Sequence, residues 1–307
     1  MKRIFLNVVI IFSLVACSSS SKNRYREGNN IGQEAGITVQ EEEAMTREYL
    51  PQIKKEYPAV NDPILQRYIS NLGKKLVIES KLEGNPYHYT FELVDAKMPN
   101  AFALPAGTVY VTTPLIAMAS NEAELAGVIG HEVGHIIARH TAERMYQQKK
   151  NQSKNLLYTI GGAVLGGAAG YGIGSKLCKK SDKKCLAQAT LAGGVVGGGS
   201  ALLIQKFTFM ANSREDELEA DRIGFRIATK AGYSKDHVGN FFEKLLIMEK
   251  QAQGGSNALT RSFSDAMSTH PPSEQRVKQM REMASQMTLP PGVIVNTTTF
   301  NEMKQRL

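Results

Sequence analysis

The stretch from Asn121 to His140, NEAELAGVIGHEVGHIIARH, constrains this 307-residue chain more than any other. An α-helix advances about 100° per residue, so His131 and His135 stand one turn apart on one face. Two neutral imidazoles so placed reach a single metal ion. Glu132 beside them is positioned to take a proton from a water that the metal activates. The helix is signalled independently of its histidines. Asn121 is a good N-cap, Glu124 would close a capping box, and Leu125, Val128, Ile129, Ile136 and Ile137 supply an apolar side. His140 would fall on the opposite side of a helix continued that far, outside the metal site. The longer pattern with a third histidine is absent, since Ala138 and Thr141 stand where it needs Gly and His.

The N-terminus carries a different signal. Lys2-Arg3 precedes an apolar run from Ile4 to Val15, the composition of a secretory leader and too short to span a bilayer comfortably. Leu14-Val15-Ala16-Cys17 resembles a bacterial lipobox, which implies cleavage before Cys17 and lipidation of its thiol. Ser18, where Asp could stand, favours the outer membrane by the same likeness. Several acyl chains on one residue anchor far more firmly than one. The expected organisation is a signal at 1–16, a lipidated N-terminus and polar tether at 17–40, and one domain at 41–290. That domain holds a Gly-rich insertion at 151–206, and a tail follows at 291–307. With Cys17 lipidated, Cys178 and Cys185 remain as a pair in an oxidising compartment, which suits a disulfide.

Formal net charge is +8, but Lys2 and Arg3 leave with the signal. Lys176, Lys179, Lys180, Lys183 and Lys184 crowd one short segment. The basic balance is therefore local and suits a membrane surface or an acidic partner, not nucleic acid. On either side of that segment, Asn155 to Ser175 and Leu186 to Gln205 are uncharged and rich in Gly and Ala. Gly162, Gly166, Gly170 and Gly174 at four-residue spacing would let two helices pack closely as a hairpin, though the composition also permits a flexible insertion.

Elsewhere the chain alternates helix and strand signals. Glu41 to Glu56 reads as a helix broken or kinked at Pro51. Asp62-Pro63 starts a core helix through Val77. Tyr87 to Val94 reads as a strand, and Asn100 to Thr112 as two short strands around Pro105-Ala106-Gly107. A Pro beside a strand marks a sheet edge, which can hold an extended peptide by adding it as another strand. Asn212 to Ala231 is a helix with acids early and bases late. Within it Glu217 and Asp221 share a face, and spacing alone does not choose among Glu215, Glu217 and Glu219 as a ligand. Ser234 caps a further helix, and a loop ending in His270-Pro271-Pro272-Ser273 leads into a helix from Glu274 to Met287. The tail from Thr288 carries no clear signal.

Taken in order, Asn100-Ala101-Phe102-Ala103-Leu104-Pro105, His131-Glu132-Val133-Gly134-His135, Glu217-Leu218-Glu219-Ala220-Asp221 and Ser268-Thr269-His270-Pro271-Pro272 resemble the landmarks of peptidase family forty-eight. These are the HtpX/BepA/LoiP-like zinc metallopeptidases, and the likeness covers about Asp62 to Met287. It implies an α+β, mainly helical, zincin-like metalloprotease domain with a small β-sheet whose edge strand flanks the active-site helix. By that resemblance one Zn2+ is held by His131, His135 and Glu217, with Glu132 as catalytic base and Asp221 orienting a ligand histidine. Asn100, Ala101, Phe102 and Ala103 would form the substrate edge strand. Family members are known in which a histidine of the equivalent His-Pro loop approaches the metal and restrains activity, so His270 is a candidate for that role. Ala106-Gly107 replaces the family's common double glycine. The lipobox places the chain with the periplasmic lipoprotein members. The function implied is proteolysis of misfolded or misassembled cell-envelope proteins, with the outer-membrane assembly machinery as a partner. The rival is a chaperone-like or scaffold lipoprotein that binds outer-membrane proteins with little proteolysis.

Overall fold

The computed structural model describes residues 37–83, 85–147, 150, 211–253, 269–288 and 293–307. The signal and Cys17, the insertion with Cys178 and Cys185, and the loop before Thr269 lie outside them.

Helix α1 (Val39–Glu56) opens with a reciprocal capping box between Thr38 and Glu41. Of the two outcomes expected at Pro51, a break or a kink, the break does not occur: the helix runs through the proline. Tyr49 and Ile53, on either side of the proline, are fully buried in one cluster with Val94, Phe102, Leu104 and Tyr110. That burial outweighs the single backbone hydrogen bond a proline removes. Helix α2 (Pro63–Glu79) starts as expected, with Asp62 accepting from the Ile64 and Leu65 amides. Its inner face packs on strand β1 so closely that Gly73 lies against the Phe91 ring.

Among the described residues the sheet has three strands: β1 (Thr90–Val94), β2 (Ala101–Ala103) and β3 (Thr108–Thr112), in the order β1-β3-β2. β1 lies parallel and β2 antiparallel to β3. Between β2 and β3 a tight 3-10 turn at Pro105–Gly107 puts Ala106 at φ 68° and Gly107 at φ 131°. A Cβ at Gly107 would meet the His88 carbonyl, so glycine is required there. The outer edge of β1 is covered. The Gln66 side chain accepts from the Leu93 amide at 2.9 Å and donates to the Leu93 carbonyl at 2.7 Å, and Ala59 forms a bridge to Val94. Among the described residues, that leaves β2 as the edge that can accept another strand.

A short α3 (Thr113–Met118) leads to α4 (Glu122–Ile137), the helix of the opening motif. Asn121 caps it, but the expected capping box is not closed. Glu124 reaches one residue further back to the Ser120 amide at 2.8 Å, and it is drawn there by Lys244, also at 2.8 Å. After α4, residues 140–147 resume a helical course. Then follow α5 (Arg214–Lys230), α6 (Asn240–Gln253), α7 (Glu274–Gln286) and α8 (Thr298–Arg306). Ser234 sits in a turn ahead of α6, bonded to His237, and does not cap the helix directly. The segment set apart as a tail contributes to the same core. Phe300 and Met303 are buried, and Ile294 bridges to Tyr233.

The contact that matters most lies between α4 and α5. Gly130 and Gly134 face Gly224 and Ala220, and a Cβ on either glycine would come within 2.8 Å of a carbonyl oxygen on α5. Backbone therefore meets backbone, and short acidic side chains on α5 can reach the histidines of α4. Among the described residues, no helix is long and apolar enough to cross a membrane.

Candidate metal centre

Four side chains from three places in the chain converge: His131 and His135 from α4, Glu217 from the first turn of α5, and His270 from the loop before α7. Their ligand atoms all lie within 4.8 Å of one another. His131 Nε2 is 3.0 Å from His135 Nε2 and 3.2 Å from His270 Nδ1. The two Glu217 carboxylate oxygens lie 3.4 Å from His131 Nε2 and 3.3 Å from His135 Nε2. His270 Nδ1 is 3.0 Å from Glu217 Oε1. Asp221, one turn along α5, places Oδ1 2.8 Å from His131 Nδ1. With that nitrogen turned to a carboxylate, the lone pair of a neutral His131 sits on Nε2 and points into the cluster. Buried imidazole nitrogens and a carboxylate converging in this way form a donor set suited to a borderline divalent cation. Of the acids that spacing left open, Glu217 reaches the cluster. Glu219 is buried on another side, and Glu215 is exposed.

Two carboxyls here are pushed in opposite directions. Burial would raise Glu217, but Arg276, His270 and His131 hold it well below the usual carboxylate range. Burial raises Glu132, and the nearby His270 and His131 offset only part of that. One carboxyl is thus kept as an anion and the other made ready to gain a proton, the division of labour expected of a ligand and a base. Burial also works against a charged His131, yet Glu217 and Asp221 push its imidazole up to about 9.

The edge strand packs on α4 beside these groups: Ala101 lines one crevice with His131 and Glu132, and Ala103 lines another with His135. The Leu104 amide donates to the Thr108 carbonyl, and the Asn100 carbonyl accepts from the Thr112 amide, so both residues turn their backbone toward β3. By strand alternation the backbone groups of Ala101 and Ala103 face away from β3, along the edge left open among the described residues. Phe102 turns the other way and stacks on Tyr110 with ring centres 5.1 Å apart. Ala101 is only 5% exposed, whereas Ala103 and Asn100 are half-buried. Beside Ala101 and Glu132 a small, mainly apolar crevice of about 30 Å³ is walled by Leu115, Val128, Phe241, Phe242 and Leu245.

Three participants escaped the reading of the sequence. Arg276, in the first turn of α7, is 1% exposed and donates from Nε and Nη2 to both Asp221 oxygens at 2.7 Å. Its Nη1 lies 2.7 Å from Glu217 Oε2, and its guanidinium stacks over the Phe242 ring. Asn212 donates to Glu217 Oε1 at 2.7 Å. His140 corrects the expectation that it points away from the site: α4 ends at Ile137, and Arg139 turns the chain through φ 54°. His140 returns to place Nδ1 2.7 Å from His135 Nδ1. An Arg six residues after the His-Pro loop histidine was the available signal for the first. Nothing local marks the other two.

A His-Glu-x-x-His helix packed on a second helix that brings a carboxylate, with a mixed sheet edge alongside, defines a zincin-like α+β domain. The chain belongs to peptidase family M48, whose profile matches residues 63–284. It is 29% identical over 279 residues to the beta-barrel assembly-enhancing protease of Escherichia coli (strain K12), covering 90% of this chain and 50% of that one. A putative beta-barrel assembly-enhancing protease of Vibrio cholerae is 30% identical over 84% of this chain and 47% of its own. The mitochondrial metalloendopeptidase OMA1 of Arabidopsis thaliana is 31% identical over 74% of this chain and 38% of its own. The chain thus spans about half the length, or less, of these curated relatives.

Proposed function

We propose that this protein is a zinc-dependent endopeptidase that hydrolyses misfolded or misassembled proteins of the bacterial envelope. The observation that carries the reading is the convergence of His131, His135 and Glu217 with Glu132 beside them and a sheet edge alongside. An unfolded segment adds to β2 as another strand, bonding to the backbone of Ala101 and Ala103. The apolar crevice beside Ala101 receives one of its smaller aliphatic side chains. Zinc, when bound, would polarise the scissile carbonyl and make a water acidic enough to be used near neutral pH. Glu132 accepts the proton of the attacking water and returns it to the leaving amine nitrogen. Its raised affinity for a proton favours the first transfer. Asp221 and Arg276 hold His131 and Glu217 in place, and Asn212 steadies the second Glu217 oxygen.

His270 stands between Glu217 and Glu132, with Nε2 3.6 Å from Glu132 Oε1. In that position it occupies the space that water and the scissile carbonyl need, so it restrains the resting enzyme and moves aside for turnover. The names of the assembly-enhancing relatives support an envelope role beside outer-membrane assembly. The lipobox at Cys17 supports a lipid anchor on the periplasmic side of the outer membrane.

Metal analysis tests the site. Wild-type protein is expected to carry one zinc per chain, and Glu217→Ala to lose it while remaining folded. Equal zinc in both would overturn the ligand assignment.

A further inference from the structure

His140 is not a ligand, yet it is completely buried against one. A neutral imidazole has one N–H and one lone pair. His135 turns Nε2 toward His131 and Glu217. If that nitrogen is to offer its lone pair, its proton must sit on Nδ1 and needs an acceptor. A metal-bound histidine usually finds a carboxylate, a backbone carbonyl or water there. His131 follows that rule through Asp221, but His135 meets another imidazole, His140 Nδ1 at 2.7 Å. Two N–H groups cannot face each other at that distance, so the ring of His140 must accept.

What makes it accept lies on its far side. His140 Nε2 is 3.4 Å from Glu219 Oε2 and 3.8 Å from Asp216 Oδ1, both buried on α5. Carboxylates there hold the His140 proton on Nε2 and leave the Nδ1 lone pair for His135. We propose that His140 is a positioning residue that transmits the carboxylate's preference from Glu219 to His135, fixing which His135 nitrogen faces the metal. Helix α5 then orients both ligand histidines of α4, one directly through Asp221 and one through an imidazole relay. The turn that delivers His140 is itself held. The Arg139 guanidinium donates to Glu42 at 2.8 Å and to the Ile37 carbonyl at 2.6 Å, tying the start of α1 to the end of the metal helix.

This proposal rests on the metal-binding reading above, and its test separates the two. Nitrogen-15 histidine NMR of the zinc-loaded protein is expected to show His135 protonated on Nδ1 and His140 on Nε2. A His140 protonated on Nδ1 would overturn the relay. Zinc affinity, measured by competition with a chelator, should fall about 10–100-fold in His140→Leu, the range for losing such a support. His140→Asn, whose side-chain carbonyl can accept from His135, should recover most of it. Equal affinity in His140→Leu and wild type would also overturn the relay. Wild-type protein that takes up no zinc would overturn the metal site itself.

Discussion

Arg276 sets the character of the two acids beside it. It is fully buried, and it serves Asp221 with two hydrogen bonds and Glu217 with one close ion pair. Removing one partner of a buried ionic network leaves uncompensated charge, which typically costs about 3–5 kcal/mol. Arg276→Met, close in volume but uncharged, should lose about that much stability in urea unfolding of the metal-free protein. Bound zinc should lessen the loss by compensating Glu217. An unchanged midpoint and slope would mean that the network is not structural. Legibility in the sequence divides at this scale. His131, Glu132 and His135 are readable because one helical turn fixes their relation. Glu217 and Asp221 are readable as a pair, but choosing them needed either family likeness or the neighbouring helix. Arg276, Asn212 and His140 act through tertiary approach, and His140 depends on a left-handed residue at Arg139 that its own identity does not advertise.

Among the elements, the seam between α4 and α5 governs the site. Gly134→Ala would favour an isolated helix by about 1 kcal/mol. Here the new methyl would lie 2.8 Å from the Ala220 carbonyl oxygen and 3.1 Å from its Cα. Both are backbone atoms, so the helices must part, and overpacking of that kind costs about 1–3 kcal/mol. Net destabilisation with weaker zinc binding is expected, read by thermal melting and chelator competition; a variant more stable than wild type would contradict it. The glycines of α4 were present in the sequence, but their partners on α5 were not evident from spacing. Strong local signals carried over well: the Asp62-Pro63 start and the strand pair around Pro105 stand where expected. Pro51 and Ser234 did not follow local rules, because burial of Tyr49 and Ile53 overrides the proline and a turn intervenes after Ser234. Helix α8 escaped notice since only Phe300 and Met303 of its short, polar sequence reach the core.

For the whole molecule, the proposed envelope role requires the protein to be held where its substrates arise. Cys17→Ser should move the protein from the membrane pellet to the soluble periplasmic fraction. Unchanged pelleting would contradict lipid anchoring at that residue. The role proposed for Glu132, taking the proton from water beside a metal held by His131, His135 and Glu217, is read by digesting an unfolded outer-membrane β-barrel protein with wild type and Glu132→Gln side by side. The amide cannot accept the proton, and losing a general base typically lowers rate about 10²–10⁴-fold. Glu132→Gln is expected to keep its zinc and its fold and to fall by that factor; cleavage at the wild-type rate would contradict this role.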